Sequence, residues 1–300
     1  MSSPRYILVV NAGNTRVSAA VVCLSPSHAP AVATQVRVQE GAGPCEASSV
    51  ADLLRDATAD ARPSGAVLVN VRPGADVVVE GAVRDVLGLA LHRLSSADLG
   101  SHHYRTPQTL GPDRIANVLG YRACCGQGPG IVVDAGTATT FECIDASGAF
   151  VGGPIAAGLM AALDGLLLRA PGLPRPEAQD WIRAPRLAQG SLDAVAAGAL
   201  HGHLALISGL ASSLASDLHG LTSAGRPTAG APALGPAATP ELPSSAIPST
   251  PRRGTQRILC GGFAEVLAPH LAREGFKHLP HLTLVGAATV LSPARQVPML

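Results

Sequence analysis

Two short stretches of the chain carry residue types that can handle a phosphate group. VVNAGNTRVSAAVV (9–22) puts Asn11, Gly13, Asn14 and Thr15 at a turn between two apolar runs. IVVDAGTATTFECID (131–145) puts Asp134, Gly136, Thr137 and Thr139 at another. In each, a glycine supplies unusual dihedrals and has no Cβ to block a phosphate, so backbone N–H groups and a hydroxyl can approach it. Asp134, at a strand end, can hold Mg2+ directly or through water. Asn11 stands at the matching place in the first turn; it keeps a carbonyl acceptor and nearly the same shape but has no charge. A single turn of this kind is ordinary hairpin chemistry. Two of one form, well apart in sequence, imply two related domains that grip a nucleotide's phosphates from both sides of a cleft.

Phosphoryl transfer to an alcohol also needs a base near the hydroxyl and a grip on the acceptor. GPDR (111–114) offers both. With Gly111 as cap and Pro112 as first helical residue, Asp113 falls in a helix's first turn, where a carboxylate also favours the helix dipole. Arg114 has a planar fork suited to a carboxylate or a phosphoryl oxygen, although a surface cation is the commoner fate of arginine. Tyr104 lies nine residues before Asp113. Ser191 opens GSLDAVAAG, where serine is a natural helix N-cap. Gly261 and Gly262 read as a tight turn before a helix, open enough for a flat group to lie against it.

The elements that must position these residues alternate. Residues 6–10 and 16–22 read as a hairpin, 50–58 as a helix, 66–71 as a strand, 82–89 as a helix and 131–145 as a second hairpin, with a tight turn at 145–148. Residues 156–170 have helical periodicity up to the stop at Pro171 and Gly172. Residues 191–220 read as one long helix or two, with Leu204, Ile207, Leu210, Leu214 and Leu218 as the apolar face. Residues 257–262 read as a strand, FAEVLAPHLARE as a helix, and LTLVGAATVL begins as a strand. This pattern predicts an α/β fold, with domains at 1–125 and 126–300. Residues 222–255 are dominated by Pro, Ala, Gly, Ser and Thr, too few large apolar side chains to offset ordering, which predicts a flexible insertion.

Composition narrows the functions. The net charge is +1 and the basic residues are scattered, so no basic stripe points to nucleic acid. The first apolar run is short and broken, which predicts no signal peptide, no membrane span and a cytoplasmic protein. None of the six cysteines is in C-x-x-C spacing, as expected of thiols in a reducing compartment. His201 and His203 are about 200° apart on a helix and read as surface histidines, and His102 and His103 have no third ligand at a known spacing.

The paired turns resemble the actin-like, sugar-kinase-like ATPase superfamily, in which two ribonuclease H-like domains enclose a cleft. Within it the chain most resembles type III pantothenate kinases. GPDR is similar to their G-x-D-R, DAGTATT followed by GGPIAAG (152–158) to their D-x-G-T-A and G-G-x-I-x-x-G, and GGFA (261–264) to their adenosine-side turn. The likeness spans most of the chain outside 222–255. It implies ATP-dependent phosphorylation of pantothenate, the first step toward coenzyme A, with Mg2+ and a monovalent cation (K+ or NH4+). By resemblance, Asp113 is the base, Tyr104, Gly111 and Arg114 contact pantothenate, and Ser191 stands for a threonine that reaches it across a homodimer interface. Asn11, Gly13, Asn14, Thr15, Gly136 and Thr137 would hold the phosphates, Asp134 the metal, and Gly261 and Gly262 the adenosine. The chain departs from the family at Asn11, where the first motif has Asp. Two alternatives follow: another small-molecule kinase or exopolyphosphatase of the superfamily, or a catalytically impaired homologue acting as a nucleotide-binding accessory protein.

Overall fold

The computed structural model describes residues 5–13, 16–24, 33–41, 46–126, 128–182, 184–223 and 254–292. The first sheet contains β1 (Arg5–Ala12), β2 (Val17–Leu24), β3 (Ala33–Gly41), β4 (Gly65–Asn70) and β5 (Leu91–Arg93), in the order β3-β2-β1-β4-β5. The second contains β6 (Gly130–Ala135), β7 (Ala138–Ile144), β8 (Phe150–Gly152), β10 (Gln256–Cys260) and β11 (Phe276–His278), in the order β11-β10-β6-β7-β8, with β9 (Ile155–Ala157) paired to β7. Read from β8, the second order repeats the first. In each sheet the first three strands are antiparallel and the last two add in parallel. The duplicated turn motif therefore sits on a duplicated ribonuclease H-like sheet, as the sequence predicts.

Helices α1 (Ala47–Thr58) and α2 (Ala75–Leu87) cover one face of the first sheet. Leu8 and Val10 point to them, together with Leu54, Val79 and Val83. Ile7 and Val9 point the opposite way, as the two-residue period of a strand requires. There they meet α3 (Pro112–Cys125), which also packs on Val132 and Ile258 of the second sheet. Helices α4 (Leu159–Arg169), α5 (Ala178–Ile182), α6 (Ser191–Ser223) and α7 (Ala264–Leu271) belong to the second half, and α6 lies on Ile131, Val133 and Leu259. The last helix, α8 (Leu282–Ala288), crosses α3 between the two sheets. A Cβ on Gly286 would lie 1.9 Å from the Ala116 carbonyl oxygen, so only glycine lets the helices come this close.

Two sequence expectations change. LTLVGAATVL forms α8 and a closing 3-10 turn, not the start of a strand. The segment is buried on nearly every side, and an apolar run without alternation does not separate strand from helix. Residues 155–157 form β9 on the edge of β7, so α4 begins only at Leu159. The stretch read as one helix or two is a single helix of 33 residues. It is long and apolar enough to cross a membrane, but Ile207, Ala211, Ala215 and Leu218 bury one side of it against the second sheet. Most of the expected insertion, 224–253, lies outside the described residues.

Candidate active site

The two turns close at the carboxyl ends of the central strands. In the first, Asn11 is paired with Ser18 on β2 and Val69 on β4, and Gly13 N–H donates to the Arg16 carbonyl at 2.9 Å. Asn14 and Thr15 lie outside the described residues. In the second, Gly136 N–H donates to the Ala138 carbonyl at 3.0 Å. Thr137 is exposed, and its carbonyl accepts from Gly158 N–H at 3.0 Å, which ties the start of α4 to the turn.

Asp134 is the half-buried residue at the end of β6. Its Oδ2 accepts from Asn117 Nδ2 at 2.9 Å, and its Oδ1 lies against Gly261. Burial pushes its pKa up to about 6, the Asn117 bond pulls the other way, and the charge of Asp113 pushes it up further. The two carboxylates are therefore close enough to sense each other. Asp113 follows Pro112 in the first turn of α3, with Gly111 as the cap. Its Oδ1 accepts from Arg114 N–H at 2.8 Å, and burial raises its pKa above the ordinary range. A Cβ on Gly111 would lie 2.4 Å from that oxygen, so the glycine makes room for the carboxylate.

Arg114 is buried, not a surface cation. Its Nε donates to Glu142 Oε1 at 2.8 Å, and its Nη2 donates to the carbonyls of Phe141 (2.8 Å) and Gly153 (3.0 Å). Its guanidinium lies over the Phe150 ring. The other side of the group is set by Tyr104, half-buried, with its ring centroid 5.5 Å from that of Phe150. Ser191 is the exposed first residue of α6, not its cap. It stands on the rim of an apolar cavity of about 550 Å3 lined by Ala157, Leu166, Leu173 and His203. His203 is buried, not on the surface, and its Nε2 lies 3.0 Å from Thr139 Oγ1. Burial lowers its pKa, which favours the neutral ring. Gly261 and Gly262 form the turn after β10; only Gly261 has a positive φ, +94°.

Three polar residues of this group, Asn117, Glu142 and Thr283, were not picked out from the sequence. Asn117 and Glu142 are fully buried. Asn117 was detectable because it lies one helical turn after Asp113 and so shares its face. Glu142 was detectable as a lone carboxylate in the strand ATTFECI, where burial demands a counter-charge. Thr283 carried no such signal while its segment read as a strand.

Among the described residues no three His, Cys, Asp or Glu side chains cluster as a metal cage. The donor set still suits Mg2+, which is usually held by one or two carboxylates, waters and substrate phosphates. Asp134 fits that role, because Asn117 engages one oxygen and the bare Gly261 leaves space around the other.

The sequence pattern of the type III pantothenate kinase family matches residues 7–213. A type III pantothenate kinase of Janthinobacterium sp. (strain Marseille) is 30% identical over 293 residues, covering 95% of this chain and 96% of that protein. One from Moorella thermoacetica is 37% identical over 118 residues, which covers 39% of this chain and only 45% of that protein. Among solved structures, a glucokinase from an Antarctic psychrotroph superposes with a TM-score of 0.45 at 11% identity, over 97% of this chain and 99% of that one. That likeness is loose, and the fold assignment rests on the two strand orders.

Proposed function

The chain belongs to the type III pantothenate kinase family, and on that footing we propose that it transfers the γ-phosphoryl group of ATP to the primary hydroxyl of pantothenate. The observation that carries this reading is the pairing of Asp113, a half-buried carboxylate with raised proton affinity, with Asp134 at the tip of a phosphate turn. Asp113 takes the hydroxyl proton as the substrate oxygen bonds to the γ-phosphorus; the bond to the bridging oxygen breaks and ADP leaves. A carboxylate with raised pKa is a better base than a free one. The backbone N–H groups of the two turns orient the phosphates. Asp134 would hold Mg2+, which when bound would supply charge neutralisation at the nucleotide's phosphates, and a monovalent cation would add to it.

Arg114 acts from behind the site: with Glu142 it fixes the start of α3 to β7. Tyr104 and Gly111 border the acceptor. The exposed apolar side chains Ile155, Leu166, Leu168 and Leu192 support a homodimer, whose interface puts Ser191 beside the partner's acceptor site. The reaction takes place in the cytoplasm.

Incubation of the purified protein with ATP, Mg2+, K+ and pantothenate, followed by mass detection of phosphopantothenate, tests the proposal. Transfer to sugars instead of pantothenate would reassign the acceptor. Asn11 favours one other reading, a homologue that binds nucleotide without turnover, because its amide removes a charge that attracts Mg2+. Bound ATP with no product would decide for it.

A further inference from the structure

We propose that Asn117 and Thr283 are positioning residues for Asp134, acting as a clamp on its carboxylate; the inference rests on the kinase reading of Asp134 as the metal and phosphate carboxylate. Asn117 is fully buried at the crossing of α3 and α8. Its Nδ2 donates to Asp134 Oδ2 at 2.9 Å and reaches Glu142 Oε2 at 3.4 Å. Its Oδ1 accepts from Thr283 Oγ1 at 2.6 Å, with the Cys260 Sγ 3.9 Å away.

An asparagine amide has two ends that pack alike, and its orientation is set by its partners. Two carboxylates on one side require the N–H2 end there, since an amide oxygen facing them would repel both. The hydroxyl on the other side secures this by donating to the oxygen. Asp134 is thus held at Oδ2 by the amide, while Oδ1 faces the Gly261 turn, where a Cβ would lie only 2.3 Å away. The carboxylate plane is fixed before any nucleotide arrives, and one edge is left for a cation. Thr283, whose hydroxyl orients the amide, sits on α8, far along the chain from the turn it serves.

Thr283→Val keeps the side-chain volume and removes the hydroxyl; Thr283→Ser keeps the hydroxyl. Mn2+, followed by electron paramagnetic resonance in the presence of ATP, reports the carboxylate's affinity without any turnover. In Thr283→Val the Mn2+ dissociation constant should rise about tenfold, the low end for losing an outer partner of a metal ligand, while KM for pantothenate stays unchanged and kcat falls. Thr283→Ser should restore both. Wild-type Mn2+ binding in a folded Thr283→Val, or a Thr283→Ser as weak as Thr283→Val, overturns the clamp. If Thr283→Val does not fold, Thr283→Cys, a weaker donor of similar size, should give an intermediate rise, and no rise overturns the clamp. A wild type that binds Mn2+ with ATP but makes no phosphopantothenate removes the kinase reading and leaves the clamp standing. One that binds no Mn2+ with ATP overturns the clamp as well.

Discussion

Gly261 and Gly262 are adjacent and alike in sequence, yet the structure predicts opposite consequences for an added methyl group. At Gly261 the backbone has φ +94°, and a Cβ would lie 2.3 Å from Asp134 Oδ1, 2.7 Å from Ala135 N and 2.8 Å from Ala135 C. The left-handed conformation alone costs a non-glycine residue roughly 1–2 kcal/mol. The crowding adds roughly 1–3 kcal/mol, as overpacking of a filled core does. Asp134 can swing away, but only by giving up its bond to Asn117, and the contacts with the Ala135 backbone are not relieved by that movement. A total of about 3 kcal/mol lowers Tm by roughly 5 °C in a chain of 300 residues. Gly262 has no heavy atom within 4 Å of its Cβ position and no positive φ. Gly262→Ala should therefore change stability by no more than about 0.5 kcal/mol. Thermal melts of both variants, with Mn2+ binding measured alongside, form the assay. Gly261→Ala should melt early and bind Mn2+ weakly, and Gly262→Ala should match wild type in both. Equal melts for the two variants would refute the argument, because they would mean that the Gly261 turn does not constrain Asp134.

Arg114→Met leaves the fully buried Glu142 without its counter-ion and should cost about 3–5 kcal/mol in denaturant unfolding; burial holds the Glu142 carboxyl above its ordinary range, so the loss should shrink as pH falls and the group takes up its proton. Asp134→Asn should stabilise the metal-free protein. The Asp134 pKa is raised from 3.8 to about 6, so its contribution to stability is fully present below the unfolded value and is lost as pH rises through about 6. By pH 8 the ionised group costs roughly 3 kcal/mol at about 1.4 kcal/mol per pKa unit, so the variant should unfold later than wild type there and level with it near pH 4. The same gap at both pH values would count against this. Asn11→Asp restores a carboxylate at the first turn and should lower the Mg2+ concentration needed for half-maximal turnover, with pantothenate KM unchanged; a variant indistinguishable from wild type would show that the lost charge is immaterial.

The duplicated sheets were legible because each begins with an apolar strand, a small turn and a second apolar strand, and that local pattern needs no knowledge of distant contacts. The start of α3 was legible for the same reason, since Gly111, Pro112 and Asp113 each carry a local helix-start preference. What failed was tertiary. Arg114 reads as a surface or substrate cation until β7 is seen to bring Glu142 and the Phe141 carbonyl to it, and the turn after β8 the Gly153 carbonyl. His203 reads as a surface residue until α6 is seen to press it against Thr139. The last helix was misread because burial on nearly all sides erases the periodicity that distinguishes helix from strand. With that element misassigned, its Thr283 had no reason to be linked to Asn117, which is 166 positions away.

Asp113 shows how physical chemistry decides between two roles that the sequence leaves compatible. A carboxylate in the first turn of a helix is ordinarily stabilising, because the exposed N–H groups and the helix dipole favour its charge. Such a residue would be open to water, with a pKa below the usual range. The bond from Arg114 N–H and the nearby Arg114 charge do act in that direction, yet burial outweighs them and the shift is upward. Ionising this carboxylate therefore costs the folded protein some of its own stability. A second carboxylate, Asp134, is placed close enough to suffer from the same charge. Two half-buried acids, with Asp113 raising the proton affinity of Asp134, are poor engineering for a helix cap but a sound arrangement for a base beside a cation site. Glycines at 111 and 261 keep the space around both carboxylates open, and at either position the next larger side chain would collide with the carboxylate oxygen.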